Sequence, residues 1–164
     1  FVMMNVDLYG SLPMLNGLGE NMETVLWGPG YVIGAKLPWA FKFRRSQINL
    51  LFEYMSVALP GGFYNLELNG FNALASYPLT MGFVEGLNII GGLGMFLSSY
   101  GQINNVNAFA FIGGAEFRLV STAFPNSRIK TVFGVRGMHL RADPRDDEAV
   151  MNFLMFQVGF IYSL

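Results

Sequence analysis

A chain of 164 residues with a formal net charge of -1 is long enough for one domain and carries no basic tract for the phosphates of a nucleic acid. It is 52% hydrophobic but only 13% charged, about half the charge of an ordinary soluble domain, which argues against a freely soluble globule. The absence of cysteine rules out disulfides, thiolate metal sites and cysteine nucleophiles.

The best stretch for a membrane-spanning helix, Ala73 to Ser99, contains Pro78, Gly82, Gly86, Gly91, Gly92 and Gly94, all unfavourable inside a helix, and Glu85, a charge that lipid disfavours. A spanning strand needs only about 9–11 residues, and segments of that size with period-two alternation recur along the chain. The first predicted strand is Val2 to Tyr9, with Val2, Met4, Val6 and Leu8 on one face. A long connection from Gly10 to Gly30 follows. The second strand, Tyr31 to Phe43, sets Tyr31, Ile33, Leu37, Trp39 and Phe41 outward and Lys36 and Lys42 inward, and Arg44-Arg45-Ser46 makes a short turn. The third, Gln47 to Leu59, opposes Ile48, Leu50, Phe52 and Tyr54 to Asn49 and Glu53.

After a second long connection, Leu59 to Ala73, the fourth strand is predicted from Leu74 to Val84, with a tight turn at Glu85-Gly86 leading to the fifth, Leu87 to Ser99. The sixth, Asn107 to Val120, opposes Phe109, Phe111, Phe117 and Leu119 to Glu116 and Arg118. The seventh, Arg128 to Leu140, opposes Ile129, Phe133 and Val135 to Arg136. The eighth runs from Val150 to the end, where Phe156, Val158, Phe160, Tyr162 and Leu164 share one face.

Eight strands with alternately short and long connections predict an all-β fold: an eight-stranded antiparallel up-and-down transmembrane barrel, one domain over residues 1–164, with lipid on its apolar outside. A soluble barrel of lipocalin type would turn the apolar face inward. It would leave Lys36, Glu53, Glu116, Arg118 and Arg136 as the outer coat, too sparse a coat for solubility.

Several segments resemble the PorT-like outer-membrane β-barrel family. They are "GYVIGAKLPWAFKFRRSQINLLFEYMSVALPGG" (Gly30 to Gly62), "SYPLTMGF" (Ser76 to Phe83), "IIGGLGMFLSS" (Ile89 to Ser99), "FIGGAEFRL" (Phe111 to Leu119) and the terminal "FQVGFIYSL". That last segment is also similar to the C-terminal insertion signal of outer-membrane barrels, formed here by Phe160, Tyr162 and Leu164, with Leu164 where phenylalanine is usual. The resemblance implies a bacterial outer-membrane barrel with both termini periplasmic and an accessory part in secretion or another membrane assembly. The chain begins at Phe1 with no charged and apolar leader before the first strand, so the expectation is that a signal peptide has been removed or that the sequence starts inside the chain.

The inward charges Asp7, Lys36, Glu53, Glu116, Arg118 and Arg136 are expected to pair across a side-chain-filled lumen. Met3, Val32, Leu51, Met55, Ile90 and Phe96, also inward, would dewet an ion path. The lone histidine, His139, has no serine two residues on, which argues against a lipid-deacylating hydrolase. "DPRDDE", Asp143 to Glu148, lacks the glycine and spacing of a calcium loop. Gly91, Gly92 and Gly94 lead into no helix and so form no phosphate loop. The two long connections are rich in apolar residues, and Met14, Leu15, Trp27, Phe63 and Tyr64 are the candidate contacts to a protein partner, with folding over the barrel mouth as the alternative. The expectation is a non-enzymatic outer-membrane barrel without cofactor, in contact with lipid and with a protein partner. A barrel binding a lipid or apolar ligand is the alternative.

Overall fold

The computed structural model describes residues 2–3, 6–18, 28–43, 46–60, 65–79, 86–100, 103–120, 128–141 and 150–164. Its elements are β1 (Val2–Met3), β2 (Asp7–Leu18), β3 (Gly28–Phe43), β4 (Ser46–Leu59), β5 (Leu66–Pro78), β6 (Leu87–Tyr100), β7 (Ile103–Val120), β8 (Ile129–Arg141) and β9 (Val150–Ser163). The long strands β2 to β9 pair antiparallel with their sequence neighbours, and β9 pairs with β2, so the sheet closes into an eight-stranded barrel. Short β1 lies against β3, with Val2 opposite Ala40.

Paired residues can be followed round the wall from Ala40 through Asn49, Ser76, Ile90, Gly114, Arg136, Met155 and Leu15. The path comes back to β3 at Gly28, far from its start. This stagger is what closing a barrel from tilted strands requires.

The alternation read in the sequence sets the two faces. Along β9, Val158 is 48% and Phe160 60% exposed, while Gln157 is 4% and Ile161 6% exposed. The outer wall is therefore the aromatic one, and lipid is its solvent. Phe52 stacks on Phe71 with ring centroids 5.6 Å apart, and Tyr54 lies 5.2 Å from Phe71 and 6.1 Å from Tyr31, tying β3, β4 and β5 together on that wall. Val158 lies well inside the apolar band, whereas Leu119 lies at its edge near the end of β7. Val158→Arg is expected to cost about 2–4 kcal/mol and Leu119→Arg about 0–1 kcal/mol, by urea unfolding in lipid vesicles. Equal costs at the two sites would contradict a lipid-facing wall.

Several boundaries differ from the sequence reading. Residues 10–18 belong to β2, and β5 starts at Leu66 rather than Leu74 and ends at Pro78. The connections at the end that carries the termini are 44–45, 79–86 and 121–128, and those at the opposite end are 19–27, 60–65, 101–102 and 142–149. They do not alternate between short and long. Gly10, Pro13 and Gly17 look like chain breakers, yet β2 stays continuous on β9 across all three. On its other side the ladder to β3 steps from Ser11–Val32 to Met14–Pro29, so both prolines fall at the interruption or its border. A bulge between Lys36 and Ala40 absorbs Pro38, and Lys42, read as inward, is exposed at the rim. Gly86 has φ +82, a left-handed conformation that favours glycine, but the connection it ends spans 79–86 rather than the tight Glu85-Gly86 turn expected, and Glu85 lies outside the described residues.

Candidate functional site

The lumen divides into two halves of different chemistry. Toward the end opposite the termini it is packed with Leu15, Leu59, Leu66, Leu68, Leu140 and Phe153, each at most 2% exposed. Toward the termini and through the middle it holds Asp7, Tyr9, Lys36, Glu53, Asn72, Glu116, Arg118, Arg136 and Gln157. These polar residues come from β2, β3, β4, β5, β7, β8 and β9, and the inward half of the period-two pattern turns them into the lumen.

Arg136 is the centre. Its side chain is 1% exposed and it grips Glu53 with both ends of the guanidinium, Nη1 donating to Oε2 at 2.7 Å and Nη2 to Oε1 at 2.9 Å. Nη2 also donates to Glu116 Oε1. Gln157 Nε2 donates to that same oxygen at 2.7 Å, and Asn72 Nδ2 donates to Glu53 Oε2 at 3.3 Å. Arg118 Nη2 lies 3.8 Å from Glu116 Oε2 and 3.5 Å from Ser76 Oγ. Two carboxylates thus face two guanidinium groups, and this group is neutral overall. Buried charges require such compensation, and a bidentate guanidinium–carboxylate pair is the geometry that supplies most of it. Nearer the rim, Lys36 Nζ lies 2.6 Å from Asp7 Oδ2 as a separate pair.

Space for this brace comes from residues without side chains. A Cβ on Gly134 would lie 2.8 Å from Gln157 Nε2 and 3.1 Å from Glu116 Cγ, and one on Gly34 would meet the Tyr9 ring. The glycine abundance visible in the sequence therefore serves, at these two positions, the lumen rather than the lipid wall. A cavity of about 10 Å³ remains among Tyr9, Ser11, Glu116, Arg118 and Gln157. It has room for roughly one water and none for a solute.

The six inward charges thus fall into two groups, Asp7–Lys36 and Glu53–Arg136–Glu116–Arg118. Sequence reasoning left out Asn72 and Gln157, the amides that complete the second group. Parity pointed to Gln157, whereas Asn72 fell in the segment read as the connection from Leu59 to Ala73, so no alternation pointed to it. The partner-contact candidates separate: Met14 stands on the outer wall at 42% exposure, but Leu15 is fully buried in the lumen, where no partner reaches it. It follows from β2 running past Gly10 that residues 14 and 15 are not in a connection. Trp27, Phe63, Tyr64 and the acidic run from Asp143 to Glu148 lie outside the described residues. Phe160, Tyr162 and Leu164 all face outward.

His139 is on the outer wall, opposite Phe111 and Asn152 in the ladders, with Nδ1 2.7 Å from Asn152 Oδ1. It does not reach the lumen carboxylates. Among the described residues, no group of three or more His, Cys, Asp and Glu side chains could hold a metal ion.

No protein-family model and no curated protein matches the chain. Solved structures do. The outer membrane enzyme PagL superposes with a TM-score of 0.55 at 13% identity, over 96% of this chain and 99% of that one. The outer membrane protein OprG from Pseudomonas aeruginosa gives 0.54 at 10% identity, over 99% of this chain and 97% of that one. At such identities the likeness speaks to fold: the chain is a closed eight-stranded barrel of bacterial outer-membrane type.

Proposed function

We propose that this protein is a non-enzymatic barrel of the bacterial outer membrane that serves as a structural or accessory subunit of a membrane protein complex. The observation that carries this reading is the filled lumen. A braced charge group closes one half and apolar side chains close the other, which leaves walls and rims as the working surfaces. The strands that flank 19–27 and those that flank 60–65 meet at the same end of the barrel. Trp27, Phe63 and Tyr64 belong to those connections and remain the partner-contact candidates. The PorT-like motifs, above all Gly30 to Gly62 and the terminal segment, favour an accessory part in secretion.

Purification from the native membrane in mild detergent, with identification of retained chains, tests the reading. A strictly monomeric particle with no retained chain would count against it. In planar bilayers the purified barrel is expected to give no stepwise conductance, and steady channel openings would contradict a filled lumen. A second reading, a barrel that binds a lipid or small apolar ligand in its mouth, is tested by mass spectrometry of co-purified lipids. A lipid-deacylating enzyme would lose activity on His139→Ala; against that reading stands the residue two positions on, Arg141 rather than a serine.

A further inference from the structure

The lipid-facing wall is not uniformly filled. Near the end that carries the termini, a groove of about 560 Å³ runs over β2, β3, β8 and β9. Gly10 forms its floor, and Leu8, Ile33, Ile129, Phe160 and Tyr162 form its sides. The walls are bulky because Gly10 pairs with Ile33 on one side and Phe160 on the other, while Leu8 pairs with Tyr162. The floor is low because the outward space above Gly10 is open: a Cβ there would meet only the Val32 carbonyl oxygen, at 3.8 Å. Its volume falls in the range of small-molecule pockets, about 300–1,000 Å³, and its lining is almost wholly apolar.

One cation stands beside the foot of the groove. Arg128 directly precedes Ile129 and is exposed, and its carbonyl accepts from Ser163 N at 3.0 Å, which holds it beside the end of β9. Asp7, the acidic side chain nearest in the chain to the groove, is already engaged by Lys36 inside the barrel. An apolar channel on a membrane wall that ends beside a cation complements a chain of methylenes ending in a phosphate.

We infer that this groove is a binding site for a glycerophospholipid, with one acyl chain lying over Gly10 between Ile33 and Phe160 and the headgroup phosphate on Arg128. The site lies outside the lumen and does not depend on the accessory role proposed above.

The test is native mass spectrometry of the folded barrel after incubation with phosphatidylglycerol or phosphatidylcholine. Wild type is expected to retain one lipid, phosphatidylglycerol in preference to phosphatidylcholine. Gly10→Phe fills the groove and is expected to lower retention of both by about tenfold. Arg128→Gln is expected to remove the preference for the anionic lipid while phosphatidylcholine is still held. Gly91→Phe is the control, since Gly91 faces outward on β6 with equally open space, its nearest atom the Ile112 carbonyl oxygen at 3.8 Å, and lies away from the groove. It should change nothing. Equal retention by wild type and Gly10→Phe would overturn the inference, as would a loss of equal size in Gly91→Phe. A dimer that retains no lipid and dissociates on Gly10→Phe would also overturn it, in favour of contact between copies of the chain.

Discussion

Arg136→Met is expected to destabilise the barrel by about 3–5 kcal/mol, the usual cost of removing one partner from a buried ion pair. Methionine has similar bulk and leaves no large void. The loss instead comes from Glu53, fully buried, and Glu116, 4% exposed, each left without the guanidinium that compensates it. The double variant Glu53→Gln/Arg136→Met is expected to recover more than half of that loss. It removes one charge of each sign and leaves Glu116 with Arg118, 3.8 Å away. Urea unfolding in lipid vesicles compares the three proteins. If Arg136→Met falls within about 1 kcal/mol of wild type, the side chain is not the keystone that its contacts describe.

Gly114→Leu is expected to give no folded barrel, while the adjacent Gly113→Leu folds. The two positions differ only in parity. Gly114 faces the lumen opposite Arg136, and a Cβ there would overlap the Val135 carbonyl oxygen and the Arg136 Cα. Overpacking against movable side chains costs about 1–3 kcal/mol, but here the obstacle is the backbone of the neighbouring strand, which cannot yield without breaking the ladder. Gly113 faces lipid, and the nearest atom to its Cβ would be the Ile90 carbonyl oxygen at 4.0 Å. Resistance to unfolding in SDS without heating, together with circular dichroism, reports the outcome. A folded Gly114→Leu barrel would show that the lumen has slack that its packing does not suggest.

Period-two alternation was enough to read the wall. From Ile48 to Tyr54 in β4 and from Phe156 to Tyr162 in β9 the faces read from the sequence are those the structure shows, because a closed sheet with lipid outside repeats one simple rule at every residue. The same rule assigned the six charges to the lumen. It did not tell which carboxylate meets which guanidinium, since Glu53 and Arg136 stand 83 residues apart and meet only across the cylinder. Nor did it place strand ends: Gly10, Pro13 and Gly17 carry the signals of a turn, and Leu66 to Phe71 carry those of an apolar loop, yet both segments pair in the sheet. Local propensity is weak where a neighbouring strand supplies the hydrogen bonds that a breaker would forfeit.

Sequence by itself determined that the chain crosses a membrane as strands, which side of most strands lipid touches, and that Asp7, Lys36, Glu53, Glu116, Arg118 and Arg136 lie within. Scarcity of charge and strict alternation are local properties, and they suffice because the medium outside selects on them residue by residue. Only the tertiary structure decided the pairing of the lumen charges, the division of the lumen into polar and apolar halves, the burial of Leu15 and the groove over Gly10. Each of those depends on the register at which tilted strands meet as the sheet closes, and register is a property of the whole ring rather than of any segment.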